Sequence, residues 1–205
     1  MEVIDLFSGL GGFSQAFVDR GHNVKRYDFD PKFSDIPFTR TVDVFDLTPI
    51  DIEGADIILA SFPCNHFSPM SSHYHWPKMQ PTKETREVIK SLKEILLLIA
   101  RANPRYWILE NPVGLMRRAI GKPAMLTHWA AWGSKWLKPT HLWGNLPPID
   151  WKSKNGCKWE KAPRGSKKGV QDGKTSSAIR ALIPYEFSLA VCLAVEGKSE
   201  QTTLT

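Results

Sequence analysis

Cysteine is scarce: the 205 residues hold three, at positions 64, 157 and 192. Three scattered thiols cannot build a disulfide scaffold, and a reducing, cytoplasmic setting is the simpler reading. Long apolar runs are missing as well. The longest aliphatic stretch, Ile95–Ala100, stops at Arg101, well short of the roughly 20 residues that a membrane-spanning helix needs. The first residues carry no basic segment followed by an apolar one, so they do not read as a signal peptide but directly as a strand. There is no internal repeat. The early glycines are not followed by the Gly-Lys-Ser/Thr of a phosphate-cradling loop.

What is present suits an ordinary globular chain. Hydrophobic residues make up 42% and charged residues 23%, which argues against disorder and for one domain, with a small appendage at most. The net charge of +6 suggests a polyanionic partner. It is concentrated: Lys152–Lys174 holds seven lysines and one arginine against two acids, a net of +6. Four glycines and a proline in the same stretch predict an irregular loop. It reads either as a solvated surface loop or as a contact for phosphates, with Trp151 and Trp159 available to stack on bases.

The pattern alternates strand and helix. Strands are expected at Glu2–Phe7, Asn23–Phe29, Thr41–Phe45, Ile57–Ser61 and Tyr106–Glu110. Helices are expected at Phe13–Arg20, from Thr82 or Thr85 to about Ala102, across Met125–Trp136 and at Pro184–Val195. The expected fold class is therefore α/β, a mostly parallel sheet with helices on both faces, in which ligands sit beyond the carboxyl ends of the strands.

Each strand end carries chemistry. Asp5-Leu-Phe-Ser-Gly-Leu-Gly-Gly-Phe13 is a tight turn that lets a ligand approach the backbone, though such a turn can serve packing alone. Asp28, about twenty residues on, can accept from ribose hydroxyls, and Phe29 can lie on a nucleoside base. Asp43 can accept from an adenine amine. Strand four runs into Ser61-Phe-Pro-Cys-Asn-His-Phe-Ser68, and strand five ends in Glu110-Asn111-Pro112. A thiol and a carboxyl facing one cleft suit covalent catalysis. Cys64, His66, His73 and His75 match no common zinc spacing, so no metal is expected. Trp129, Trp132 and Trp136 read as helix core rather than a stacking platform, and Arg117 and Arg118 as surface residues or phosphate contacts.

Asp5–Phe13, Phe62–Ser68 and Glu110–Val113 resemble, in order and spacing, the cofactor, nucleophile and acid motifs of the cytosine-C5 DNA methyltransferase family. Tyr27–Asp30, Val42–Val44 and Ala178–Glu196 are similar to its ribose segment, adenine segment and final helix. The resemblance implies a Rossmann-like S-adenosylmethionine-dependent fold, with residues 1–145 and 178–196 forming the catalytic domain. It leaves 146–177 as a basic loop in place of a target-recognition domain, and 197–205 as a tail. It further implies methylation of cytosine C5 in DNA through a Cys64 adduct at C6, with Pro63, Cys64, Glu110 and Asn111 in the catalytic set. S-adenosyl-L-methionine, leaving as S-adenosyl-L-homocysteine, would lie on Phe7, Ser8, Gly9, Leu10, Gly12, Asp28, Phe29, Asp43 and Val44. Ser68, Lys138, Thr140, Lys152, Lys154, Lys158, Lys161, Arg164, Lys167 and Lys168 are the implied nucleic-acid contacts. Lys138 and Thr140 stand only by position where the family carries a glutamine and two arginines. The absent recognition domain leaves RNA as an alternative substrate, a separate specificity partner as an alternative arrangement, and a silent nucleic-acid-binding relative as an alternative to an enzyme. The small size suits a phage or another prokaryotic mobile element.

Overall fold

The computed structural model describes residues 1–160 and 181–198. Seven strands form one sheet in the order β3-β2-β1-β4-β5-β7-β6. They are β1 (Glu2–Leu6), β2 (Asn23–Asp28), β3 (Thr39–Thr41), β4 (Ile57–Ser61), β5 (Tyr106–Pro112), β6 (Met125–His128) and β7 (Pro139–Asn145). The first five are parallel, and β7 runs antiparallel between β5 and β6. The central strands β1, β4 and β5 are mostly apolar, as strands covered on both faces are, with the buried Asp5, Glu110 and Asn111 near their carboxyl ends.

Two apolar layers flank the sheet. On one side Val3, Ile57, Leu59, Ile108 and Leu142 meet Phe17 of α1 (Gln15–Asp19), Trp129 and Trp132, and Phe187, Val191 and Cys192 of the last helix. On the other, Ile4, Ile58, Ala60 and Leu109 meet Leu92, Ile95, Leu98 and Ile99. The latter four lie on a helix capped by Thr82, whose hydroxyl accepts from Thr85 N at 3.2 Å. That helix runs Lys83–Ala102 and stops at Asn103, which takes a left-handed conformation. The remaining helices are short: α2 (Pro49–Ile52), α3 (Ser72–His75) and, after α4 (Lys83–Ala102), α5 (Met116–Ile120). The last is α6 (Tyr185–Val195).

Two expectations fail locally. Thr41–Phe45 is not a strand: pairing stops at Thr41, and Asp43 caps a 3₁₀ turn by accepting from Phe45 N at 3.1 Å. A side chain that supplies its own turn competes with the sheet ladder. Met125–Trp136 is not a helix either. It is the edge strand β6 followed by a 3₁₀ turn, Trp129–Trp132. Trp129 and Trp132 are core residues as expected, but their spacing serves that turn, whose indoles pack on Phe187 at 5.0 and 5.1 Å.

The carboxyl end of α6 is pinned by charge. Arg20 donates to both Glu196 oxygens, at 3.0 and 2.6 Å, His22 Nε2 lies 2.8 Å away, and Lys198 pairs at 3.0 Å. Arg20, above all, holds the Glu196 carboxyl down to about 2, from an ordinary 4.5. A carboxyl held low stabilises the fold above its ordinary value and loses that contribution as pH falls toward 2. The difference is worth up to about 3 kcal/mol. Glu196→Gln is expected to lower the urea midpoint clearly at pH 7, with the gap to wild type narrowing at pH 3; an equal gap at both values would contradict this.

Candidate active site

The strand order reverses direction between β1 and β4, the place where open parallel sheets bind ligands. The chain leaving β1 turns sharply at Phe7, which takes a positive φ of 58°. That conformation is costly for a non-glycine residue and marks a constrained functional turn. It sets the Phe7 ring against Phe62 at 5.3 Å and Phe45 at 6.0 Å. Phe29, 64% exposed, and Phe45, 45% exposed, leave aromatic surface open at this edge. The Asp28 carboxylate accepts from Gly9 N at 2.8 Å and from Asp30 N at 3.0 Å, so it pins the glycine turn as well as facing it. Ser8 Oγ is buried with no partner among the described residues.

Gly12 has a packing reason of its own. A Cβ there would stand 2.8 Å from Ile183 O, in the segment that leads into α6. Ser188 of α6 then clasps the turn, donating to Phe13 O at 2.7 Å and accepting from Ala16 N at 3.1 Å. The last helix does pack back on the glycine turn, as the resemblance implies.

The second half of the site lies between β4 and β5. Ser61 pairs with Glu110 across the two strands, so the loop leaving β4 carries Cys64 toward the acid. Cys64 O accepts from Phe67 N and Ser68 N, both at 2.9 Å, which folds this loop into a tight turn. Asn111 Nδ2 donates to Phe62 O at 2.8 Å and ties β5 to the loop that carries Cys64. Glu110 is buried, and its Oε1 has no partner among the described residues. Burial pushes its carboxyl up, with Lys138 opposing. Burial also pushes the Cys64 thiol up, Glu110 adds to this, and Lys138 pulls the thiol down. Lys138 therefore acts on both groups.

The placement of Lys138 follows from β7. That strand pairs antiparallel with β5, setting Pro112 opposite Thr140 and Glu110 opposite Leu142. The alternation of side chains puts Thr140 on the Glu110 face, and Lys138, just before β7 with a positive φ of 29°, bears on Glu110 and Cys64 from there. Thr140 is fully buried, and Lys138 Nζ donates to Ala181 O at 3.4 Å. Lys138→Met is expected to slow alkylation of Cys64 by iodoacetamide at pH 8 about threefold or more, because the thiolate loses its nearby cation. Peptide mapping of the three cysteines reads this directly, and an unchanged rate at Cys64 would remove Lys138 from the site.

The other expected contacts divide. Ser68 Oγ lies 3.0 Å from Ser71 Oγ. Lys152 packs on the fold, 5.2 Å from the Trp132 ring and 3.8 Å from Glu186. Lys154 and Lys158 are exposed, as is Pro63. Lys161, Arg164, Lys167 and Lys168 lie outside the described residues. His66 and His75 stack at 3.9 Å, with His66 Nδ1 3.0 Å from Thr85 Oγ1, an arrangement that closes the loop after Cys64. Sequence reasoning missed Phe45 and Phe62 as partners of the Phe7 ring. It also missed Arg26 beneath the glycine turn, since beside Lys25 and Asp28 in the polar strand β2 it reads as one more surface charge.

Residues 1–125 match the model of the C-5 cytosine-specific DNA methylase family. The chain belongs to that family. The type II methyltransferase M.MspI of Moraxella sp is 33% identical over 126 residues, covering 58% of this chain and 28% of that protein. M.HaeII of Haemophilus aegyptius is 38% identical over 76 residues, covering 33% of this chain and 23% of that protein. The chain thus spans about a quarter of the length of these curated relatives. Among solved structures, a methyltransferase of Entamoeba histolytica aligns with a TM-score of 0.48 and 14% identity, over 82% of this chain and 61% of that one.

The cofactor that membership of this family implies is S-adenosyl-L-methionine. The residues present fit it. Open aromatic faces at Phe29 and Phe45 suit an adenine, the pinned Asp28 suits a ribose, and the unpartnered Ser8 hydroxyl and the backbone of the glycine turn suit the amino-acid part. Asp43 is exposed and uses one carboxylate oxygen as a cap, which leaves the other for the adenine edge. Among the described residues, no helix is long and apolar enough to cross a membrane.

Proposed function

We propose that this chain methylates C5 of cytosine in DNA, with Cys64 as nucleophile and Glu110 as acid. The observation that supports this best is the β4–β5 register. It brings a half-buried thiol and a buried carboxyl with an unpartnered oxygen to one strand edge, under one lysine. S-adenosyl-L-methionine, when bound on the adjoining turn, supplies an electrophilic methyl group.

The chain's own residues prepare the base. Burial keeps the Glu110 carboxyl protonated to higher pH than usual, so it can donate to N3 of cytosine. A neutral Glu110 no longer opposes ionisation of Cys64, and Lys138 favours the thiolate. The thiolate sulfur forms a bond to C6 as N3 takes the proton from Glu110, and electron density moves onto C5. After C5 is methylated, it loses its proton to solvent. The electron pair released restores the ring as the sulfur–C6 bond breaks and the Glu110 proton is returned. A cytosine in a duplex must leave the base stack to reach this half-buried thiol. The exposed Lys154 and Lys158, with Lys161, Arg164, Lys167 and Lys168 of the same basic stretch, provide phosphate contacts that position rather than specify.

The test is incubation of the chain with methyl-labelled S-adenosyl-L-methionine and either unmethylated DNA or RNA. Label at C5 of DNA cytosine is expected. Label on RNA alone keeps the chemistry and replaces the substrate. Salt-sensitive nucleic-acid binding with no label on either would sink the enzymatic reading.

A further inference from the structure

Beneath the glycine turn lies a buried guanidinium. Arg26, in the middle of β2, is fully buried. Its Nε donates to Ser14 Oγ at 2.8 Å, its Nη1 to Pro37 O at 3.0 Å, and its Nη2 to Gly11 O at 2.9 Å and Gln15 Oε1 at 3.0 Å. All four acceptors are neutral. A Cβ on Gly11 would stand 2.5 Å from Arg26 Cζ, so this glycine is fixed by the arginine below it as well as by its φ of +74°. A buried cation bound only by neutral groups is costly unless a counter-charge lies close.

That counter-charge is one hydroxyl away. Ser14 Oγ, while accepting from Arg26, donates to Asp5 Oδ2 at 2.7 Å. Asp5, next to last in β1 and under the same turn, is fully buried and keeps Oδ1 unpartnered among the described residues. The charged groups that bear on it come from β2, namely Arg26 and Asp28, with Asp19 of α1 acting on Arg26. From α6, Ser188 meets the turn with an uncharged hydroxyl.

We infer that Asp5 is a charge-balancing residue for this site: its carboxylate, held by Ser14, offsets Arg26 and lets the turn prefer a cofactor with a positively charged sulfur over one with a neutral sulfur. The inference rests on the cofactor given above. S-adenosyl-L-methionine and S-adenosyl-L-homocysteine share the adenosine and amino-acid parts and differ by a methyl group and its sulfonium charge. A bare Arg26 would repel the sulfonium and leave the thioether unaffected. Burial pushes Asp5 up to about 6. The carboxyl is therefore mostly neutral at pH 5 and mostly ionised at pH 7, and the preference for the sulfonium should rise across that interval.

Calorimetric titration of the full chain with each compound at pH 5, 6 and 7 tests this without any turnover. The ratio of the two affinities is expected to rise in wild type by about threefold or more between pH 5 and 7. In Asp5→Asn, whose amide oxygen can still accept from Ser14, the ratio should stay at the low-pH value throughout. Ser14→Ala keeps the carboxyl but removes its donor. Its transition should move to higher pH, and this variant carries the test if Asp5→Asn does not fold. A flat ratio in a wild-type chain that binds both compounds overturns the inference alone, as does an unchanged slope in a folded Asp5→Asn. Binding of neither compound at any pH overturns the cofactor assignment beneath it.

Discussion

Cys64→Ala is expected to reduce label transfer to cytosine about ten-thousand-fold or more, because no other group in the site can form the bond to C6. The fold should tolerate the change. Cys64 is half-buried, and the turn that presents it is held by the backbone carbonyl of residue 64, which accepts from Phe67 and Ser68 in either variant. Affinity for S-adenosyl-L-homocysteine should therefore stay within about twofold, since the cofactor turn belongs to β1 and not to β4. A variant that keeps label transfer while folding normally would remove the covalent step from the proposed mechanism. A second check uses wild type: a denaturation-resistant protein–DNA species should form on DNA whose cytosines carry a C5 substituent that cannot leave, and it should be missing in Cys64→Ala.

Glu110→Gln gives the second large effect, with three readouts that move differently. Methyl transfer should fall by about 10²–10⁴, the usual range for a positioned general acid. Alkylation of Cys64 at pH 8 should rise, because an ionised Glu110 opposes thiolate formation and glutamine does not. Stability should also rise at neutral pH. The sign follows from the buried carboxyl. Its folded value is raised, so the folded chain binds more protons than the unfolded one as pH rises past the ordinary carboxyl range. Stability is then lost through that window, and glutamine removes the loss. A variant with lower transfer, slower alkylation and lower stability would indicate a damaged fold and not a missing acid.

The sequence made the chemistry of the strand ends legible because β1, β4 and β5 are short apolar runs that stop at unusual residues. Ile57–Ser61 coincides with the observed strand, and the cap of the long helix falls at Thr82. The far side of the sheet was harder to read. Met125–His128 alternates weakly, and Trp129, Trp132 and Trp136 mimic a helical stripe, yet pairing with β7 decides the conformation there. Asp43 misled for a related reason: a short acid in an extended stretch can end the strand by capping the turn after it. Lys138 shows the value and the limit of position. Counting from the acid motif located it, but only the antiparallel pairing of β7 with β5 shows why a lysine just before β7 acts on Cys64 and Glu110 together. Arg26 left no local signal, since its partners at Gly11, Ser14, Gln15 and Pro37 are gathered by the fold.

The insertion of β7 between β5 and β6 has a consequence for the order of assembly. As the chain is synthesised, β6 emerges before the strand that must separate it from β5. Until residues 139–145 are available, the strand bearing the acid keeps one edge of backbone donors and acceptors unpaired, a template for wrong pairing. The first five strands pair in parallel, with β4 returning beside β1 after β2 and β3, and nonlocal pairing of this kind forms slowly. The closing events are then the entry of β7 and the docking of α6 on the glycine turn. A ribosome-bound fragment ending near residue 135 should therefore hold the nucleophile loop and the glycine turn, yet be aggregation-prone and unable to position its acid. Chaperone demand should peak at that length and fall once the antiparallel hairpin closes.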